Sequence, residues 1–223
     1  MIRTLPRVVP AAPGRPVRPE AAGSQRESRR LAEDPGSWSG EAARAVVRRY
    51  TELAPVWDGE RGGYRPVPLA DALDRGGPFP AGPCVEVGAG TGLLTPLLTA
   101  VWPDVVSLDL TPEMMRRSAA RWRLIADASR LPLPAGLAAA VVLGDVPLFA
   151  AEVVRVLAPD GVVVWSNALG TGAPHHVPVD TVRTALGDAA TTPFTAVTAE
   201  AGWGLWAVFR RRLTAGSDRA AGR

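Results

Sequence analysis

The sequence predicts an α/β domain built on an open, doubly wound, mostly parallel sheet with helices on both faces. Three observations predict it. From residue 83 onward, short apolar runs alternate with segments of helical period. A glycine-rich turn, GAGTG at 88–92, follows the first run directly. Acidic residues then follow successive runs, at the sheet edge where such folds bind ligands.

The elements follow in order. Residues 1–36 are rich in Pro, Gly, Arg, Ser and Glu and are expected to be a disordered basic tail. SGEAARAVVRRYTELA (39–54) suits a helix, with Ala42, Val46, Tyr50 and Leu53 on one face and Pro55 as its stop. WDGERGGYRPVP (57–68) is a turn-rich connector. LADALDRGG (69–77) reads as a short helix opened by Pro68 and closed by Gly76 and Gly77. These pieces form an N-terminal helical segment, 37–80, of a domain spanning 37–212.

The α/β core spans 83–212. CVEVG (84–88) is the first strand, and LLTPLLTAVW (93–102) a helix with Pro96 near its first turn. DVVSLDL (104–110) is the second strand. TPEMMRRSAARW (111–122) is a helix, with Thr111 as its cap, Pro112 in first position and Glu113 complementing the dipole. RLIAD (123–127) and LAAAVVLGD (137–145) are strands three and four. LFAAEVVRVL (148–157) is a helix closed by a Pro159-Asp160-Gly161 turn, and GVVVWSN (161–167) is strand five. VDTVRTALG (179–187) is a helix. FTAVTAE (194–200) and GLWAVFRRR (204–212) complete seven strands as a hairpin, with an antiparallel member near the end of the sheet. Residues 213–223 read as a flexible tail.

Composition narrows the function. The pI of 9.9 invites a nucleic-acid reading, but all 25 basic residues are Arg. The charge is also unevenly placed. Residues 1–30 hold seven Arg against two Glu, and residues 210–223 hold five Arg against one Asp. With the chain at +3, residues 31–209 carry −6. An acidic body with basic ends weighs against nucleic acid. No apolar run approaches the ~20 residues of a membrane span, and the five prolines of residues 1–20 break any signal-peptide centre. A cytoplasmic location is the expectation. A single cysteine, Cys84, allows no intrachain disulfide and reads as a buried strand residue. The two histidines, His175 and His176, are adjacent, so their side chains diverge, and no metal is expected.

The acids choose between two adenosine cofactors. Glu86 precedes the glycine turn; Asp109, Asp127 and Asp145 end strands two, three and four. A dinucleotide turn spaces its glycines as GxGxxG. Here the third position is Leu93, and Glu86 would repel a pyrophosphate. S-adenosylmethionine has no phosphate. Its ammonium suits Glu86, directly or through water, and its carboxylate suits backbone N–H groups of the turn. Asp109 can accept from both ribose hydroxyls, a role shared with dinucleotide sites. Asp127, with the Ala126 and Ala128 backbone, suits the adenine amino edge.

In these stretches the sequence resembles the class I S-adenosylmethionine-dependent methyltransferases. VEVGAGTG is similar to their first motif, VVSLDLTPEMM to the second and IADASRLPLPAG to the third. EVVRVLAPDGVVVWS resembles their helix–turn–strand segment, and WDGERGGYRPVPLADAL the segment where an aromatic and an Arg lie over the cofactor in small-molecule members. The resemblance covers about residues 45–212. It implies a Rossmann-like fold and a cofactor site at Glu86, Gly88, Ala89, Gly90, Gly92, Asp109, Leu110, Asp127, Ala128 and Gly144. It also implies methyl transfer to a small-molecule O, N or C acceptor. A noncatalytic cofactor-binding protein on this fold is the alternative, and an NAD(P)-dependent oxidoreductase a further one. LGDVPLFA, after strand four, is shorter than usual and lacks the family's common His or aromatic pair, so no catalytic residue is assigned. Asp145 and His175 remain as candidate bases. Trp57 and Tyr64 are the aromatics best placed in sequence to cover a cofactor or flat substrate, whereas Trp165 reads as core.

Overall fold

The computed structural model describes residues 1–16 and 21–212. Among the described residues there are eight strands: β1 (Ile2–Thr4), β2 (Cys84–Val87), β3 (Val105–Asp109), β4 (Trp122–Ile125), β5 (Ala138–Gly144), β6 (Leu157–Asn167), β7 (Phe194–Ala201) and β8 (Gly204–Arg211). They form one sheet in the order β1-β7-β8-β6-β5-β2-β3-β4. Only β8 runs against its neighbours, pairing antiparallel with β6 and β7. The helices are α1 (Ala21–Glu33), α2 (Gly40–Leu53), α3 (Trp57–Arg61), α4 (Pro66–Arg75), α5 (Thr95–Thr99), α6 (Pro112–Arg117), α7 (Ala150–Val156) and α8 (Val179–Ala190).

The apolar runs become central strands because both faces are covered. β2 and β5 are buried along their whole lengths, as strands between two helix layers must be. Alternation then sorts side chains. Val85 and Val87 join a core cluster with Val153, Val156, Leu186 and Trp165. Cys84 joins the opposite cluster with Leu69, Leu98, Trp102 and Trp206. Glu86, two residues on, lies on the Cys84 face. Chain order runs outward from β2 through β3 to β4 on one side and from β5 to β6 on the other. The reversal lies between β2 and β5, so their carboxyl ends frame a ligand crevice.

The structure corrects the reading of residues 1–36 as a disordered tail over 1–16 and 21–36; residues 17–20 lie outside the described residues. Ile2–Thr4 add an eighth strand, parallel to β7, and Leu5 and Val9 pack against the core. Leu31 of α1 is fully buried. A few widely spaced apolar anchors suffice, and bulk composition averages them away. Two local expectations also shift. Thr111 opens α6 without a side-chain capping bond; its hydroxyl is turned to Asp109, whose Oδ1 also accepts the Thr111 N–H at 2.7 Å. The Pro159–Gly161 turn lies inside β6, beside a register shift between Ala138 and Ala140. The expected tail at 213–223 lies outside the described residues. Among the described residues no helix is long and apolar enough to cross a membrane.

Candidate functional site

A cavity opens at the carboxyl ends of β2, β3, β4 and β5. Of the residues expected there, Gly88, Gly90, Asp109, Leu110, Asp127 and Ala128 line it. Ala89, Gly92 and Gly144 do not line it. The Ala89 N–H donates to the Leu108 carbonyl at 2.9 Å, tying the turn to β3. The Gly144 carbonyl accepts from Arg65 at 2.9 Å.

Asp109 is the centre of this floor. Oδ2 accepts the Gly90 N–H at 2.8 Å, and Oδ1 accepts the Thr111 N–H. One carboxylate therefore fixes both the glycine turn and the start of α6. Burial raises its pKa, opposed by those two backbone bonds. The Thr111 hydroxyl bonds the same carboxylate, and of its roughly four lone-pair sites acceptor capacity remains beyond these three bonds.

Glu86 lies below the turn and does not line the cavity. Oε2 accepts from Thr95 Oγ1 at 2.6 Å and Ser107 Oγ at 2.7 Å, while Oε1 is buried with no partner. Burial is the largest influence and pushes the carboxyl up to about 7, against the two hydroxyls. An unpaired, buried acceptor is costly unless a donor meets it or it holds a proton. The folded value lies above the ordinary 4.5. The contribution to stability is thus complete below pH 4.5 and is lost as pH rises through 7. At about 1.4 kcal/mol per pH unit, the loss amounts to about 3 kcal/mol. Glu86→Gln should therefore gain stability relative to the parent as pH rises from 5 to 8 in urea unfolding. Parallel pH profiles for the two proteins would remove Glu86 as the source.

Asp145, a candidate base, is already engaged. It adopts a left-handed φ of 53°, a conformation that persists in a non-glycine residue only when neighbours hold it. Oδ1 accepts from the Ala168 N–H at 3.1 Å and from Asn167 Nδ2 at 3.3 Å, and Oδ2 faces Arg65 at 3.4 Å. His176 is drawn into the same network, its Nδ1 3.0 Å from Asn167 Oδ1. His175 is different. It lines the cavity, with Nδ1 2.8 Å from Ser28 Oγ and Nε2 3.3 Å from the Tyr50 hydroxyl. Burial, then Arg65 and Arg49, push its pKa down to about 4, so the ring is neutral at neutral pH.

The cover comes largely from residues the sequence did not single out. Trp57 lines the cavity as expected, but Tyr64 does not. Trp38 donates its indole N–H to Asp127 Oδ2 at 2.9 Å and meets Phe149 edge-on. Tyr50 packs edge-on against Trp57, and Arg65 lies over the same indole at 5.1 Å. The faint signals available were Tyr50 on the apolar face of its helix and an arginine in the Tyr64–Pro66 stretch. Among the described residues no group of three or more His, Cys, Asp or Glu could hold a metal ion.

Residues 85–165 match a family described as a methyltransferase domain, and the match bears out the expected methyltransferase reading over that span. No curated protein matches the chain. Among solved structures, the DhpI–S-adenosylhomocysteine (SAH) complex shares 21% identity at a TM-score of 0.58, covering 79% of this chain and all of that one. A SAM-dependent methyltransferase from Aquifex aeolicus shares 17% identity at a TM-score of 0.57, covering 73% and 98%. A protein described as a possible histamine N-methyltransferase from Thermotoga maritima shares 14% at 0.56, with the same coverage. At these identities the structural likeness establishes the Rossmann-like fold.

Proposed function

We propose that this chain, whose core carries a methyltransferase domain, transfers a methyl group from S-adenosylmethionine to a small-molecule O, N or C acceptor. The observation that carries the reading is Asp109, which lines the cavity while its two oxygens hold the Gly90 and Thr111 amides. A ribose diol fits the acceptor capacity that remains. Asp127 and the Ala128 backbone lie at the adenine end, beside Trp38. Glu86 Oε1, an orphaned carboxylate oxygen beneath the turn and outside the cavity lining, would meet the ammonium through a bridging water rather than directly. Trp57 and Arg65 cover the glycine-turn side. When bound, the cofactor supplies an electrophilic methyl group on a sulfonium, and an indole face beside a sulfonium adds cation–π attraction.

A dinucleotide fits these residues poorly. Leu93 stands where its third glycine belongs, and Glu86 adds negative charge beneath the turn. For acceptors that lose a proton, His175 is better disposed than Asp145. Asp145 is spent on Arg65, Asn167 and Ala168. With its own proton on Nδ1, toward Ser28, His175 turns its Nε2 lone pair to the Tyr50 hydroxyl, and both rings line the cavity. Calorimetry of the full chain with S-adenosylmethionine and SAH tests the cofactor reading. Both should bind with one site per chain, and NAD(P)H should not. Absence of binding by both sulfur compounds would overturn it.

A further inference from the structure

The sheet ends at β4, and this edge is open. β4 pairs with β3 alone and is exposed along its whole length. Trp122 is 48% exposed, Leu124 37% and Ile125 61%. Chain order gives the reason. Trp122 and Leu124 stand beside Val106 and Leu108 of β3, on the sheet face that carries the Val85 and Leu108 core. In a doubly wound sheet the helix of the returning crossover covers that face. Here residues 126–137 pass from β4 to β5 with no helix, so the face stays uncovered at the edge.

Three features define what fits there. The first is backbone. The Ala126 N–H donates inward to the Asp109 carbonyl at 2.9 Å. Direction alternates along a ladder, so Arg123 and Ile125 turn their N–H and C=O groups outward. The second is the apolar surface of Trp122, Leu124 and Ile125. The third is charge. Residues 113–125 hold four arginines, Arg116, Arg117, Arg121 and Arg123, against one acid, Glu113. Glu113 already serves Arg116 and Arg117. Arg121 lies over the Trp122 ring at 4.9 Å, and Arg123 donates to the Ser118 carbonyl at 2.6 Å. Neither meets a carboxylate among the described residues. The strip carries +3 on a body, residues 31–209, that carries −6.

We infer that β4 is a docking edge for an extended acidic segment of a partner protein, which adds to the sheet as a further strand. Its backbone takes up the outward groups of Arg123 and Ile125. Its apolar side chains cover Trp122 and Leu124, and its carboxylates meet Arg121 and Arg123. A second copy of the chain fits worse, because β4 against β4 gathers Arg121 and Arg123 of both copies at one seam. A bilayer matches the apolar residues and the charge, but its hydrocarbon offers the outward N–H groups no acceptor. The inference does not depend on the methyl-transfer reading.

The test uses the full chain, isotope-labelled for amide NMR, and two short blocked peptides at neutral pH. One alternates valine with glutamate, the other valine with lysine. The glutamate peptide should bind at least about tenfold tighter than the lysine peptide. Its binding should also slow hydrogen exchange at the Arg123 and Ile125 amides. Arg121→Glu disturbs only the contact with the Trp122 ring and should erase the preference. Ile125→Pro removes one outward N–H and leaves the β3 pairing in place, so it should weaken the glutamate peptide about tenfold. It keeps the test open should the first variant fold poorly, as judged by its urea midpoint. Equal binding of the two peptides, binding by neither, protection away from β4, or an unchanged preference in folded Arg121→Glu would overturn the inference. So would cosedimentation with phosphatidylglycerol vesicles without peptide binding, which assigns the edge to a membrane. A dimer in sedimentation that Trp122→Ser dissolves assigns the edge to a second copy, and overturns it equally.

Discussion

Replacing Asp109 with alanine weakens SAH binding by about a hundredfold or more. Two hydrogen bonds from a ribose diol to a carboxylate are each worth about 1.5–3 kcal/mol, and about 1.4 kcal/mol is a factor of ten. The structure adds an indirect loss. Without the carboxylate, the N–H groups of Gly90 and Thr111 lose their acceptor, and the turn loses its link to the start of α6. Asp109→Asn separates the two effects. Its amide keeps one acceptor oxygen but turns an NH2 toward one of those backbone N–H groups, so its affinity should lie between parent and Ala variant. A cofactor analogue lacking both ribose hydroxyls offers the direct comparison. It should bind the parent weakly and lose in the variants only the indirect part. An Asp109→Ala protein that binds SAH as the parent does would remove Asp109 from the ribose role.

Asp109 was legible in the sequence because its meaning is local. It ends an apolar run, and a helix start follows within three residues. The same locality made β2, β3 and β5 and the turn at 88–92 readable. The cover of the site was not local. Trp38 reaches Asp127 across 89 residues, and Tyr50 reaches His175 across 125. No spacing rule joins such pairs; the sheet order brings them together. The N-terminal segment was misread for a related reason. Its polar composition hides Leu31, which is fully buried, and Ser28, which meets His175. Glu86 shows a third case. Its position as the acid before the turn was plain, yet it faces Thr95 and Ser107 on the Cys84 side of the sheet rather than the cavity. Strand alternation sets the face; the hydroxyls that meet it come from other elements.

The glycine turn carries the last large effect, and two of its positions should fail in different ways. Gly88 and Gly90 have φ of +68° and +61°, so an L side chain at either costs about 1–2 kcal/mol in backbone strain. Their surroundings differ. A Cβ on Gly88 would lie 2.2 Å from Cγ1 of Val146, a partly buried side chain that packs against the core and also lines the cavity. Overpacking adds about 1–3 kcal/mol. Gly88→Ala should therefore lose about 2–5 kcal/mol of folding stability in urea. A Cβ on Gly90 meets nothing closer than Trp57 Nε1 at 3.9 Å and Met114 Sδ at 4.0 Å, both residues of the cavity lining. Gly90→Ala should lose only the backbone cost in folding. Its methyl group would stand where the cofactor's methionine end approaches the turn, and SAH affinity should fall by at least about tenfold. The two substitutions thus exchange their leading defects, one in the unfolding midpoint and the other in binding. A Gly90→Ala protein that binds SAH normally would show that the cofactor does not approach the turn at this glycine, and the methionine end would have to be placed elsewhere along the cavity.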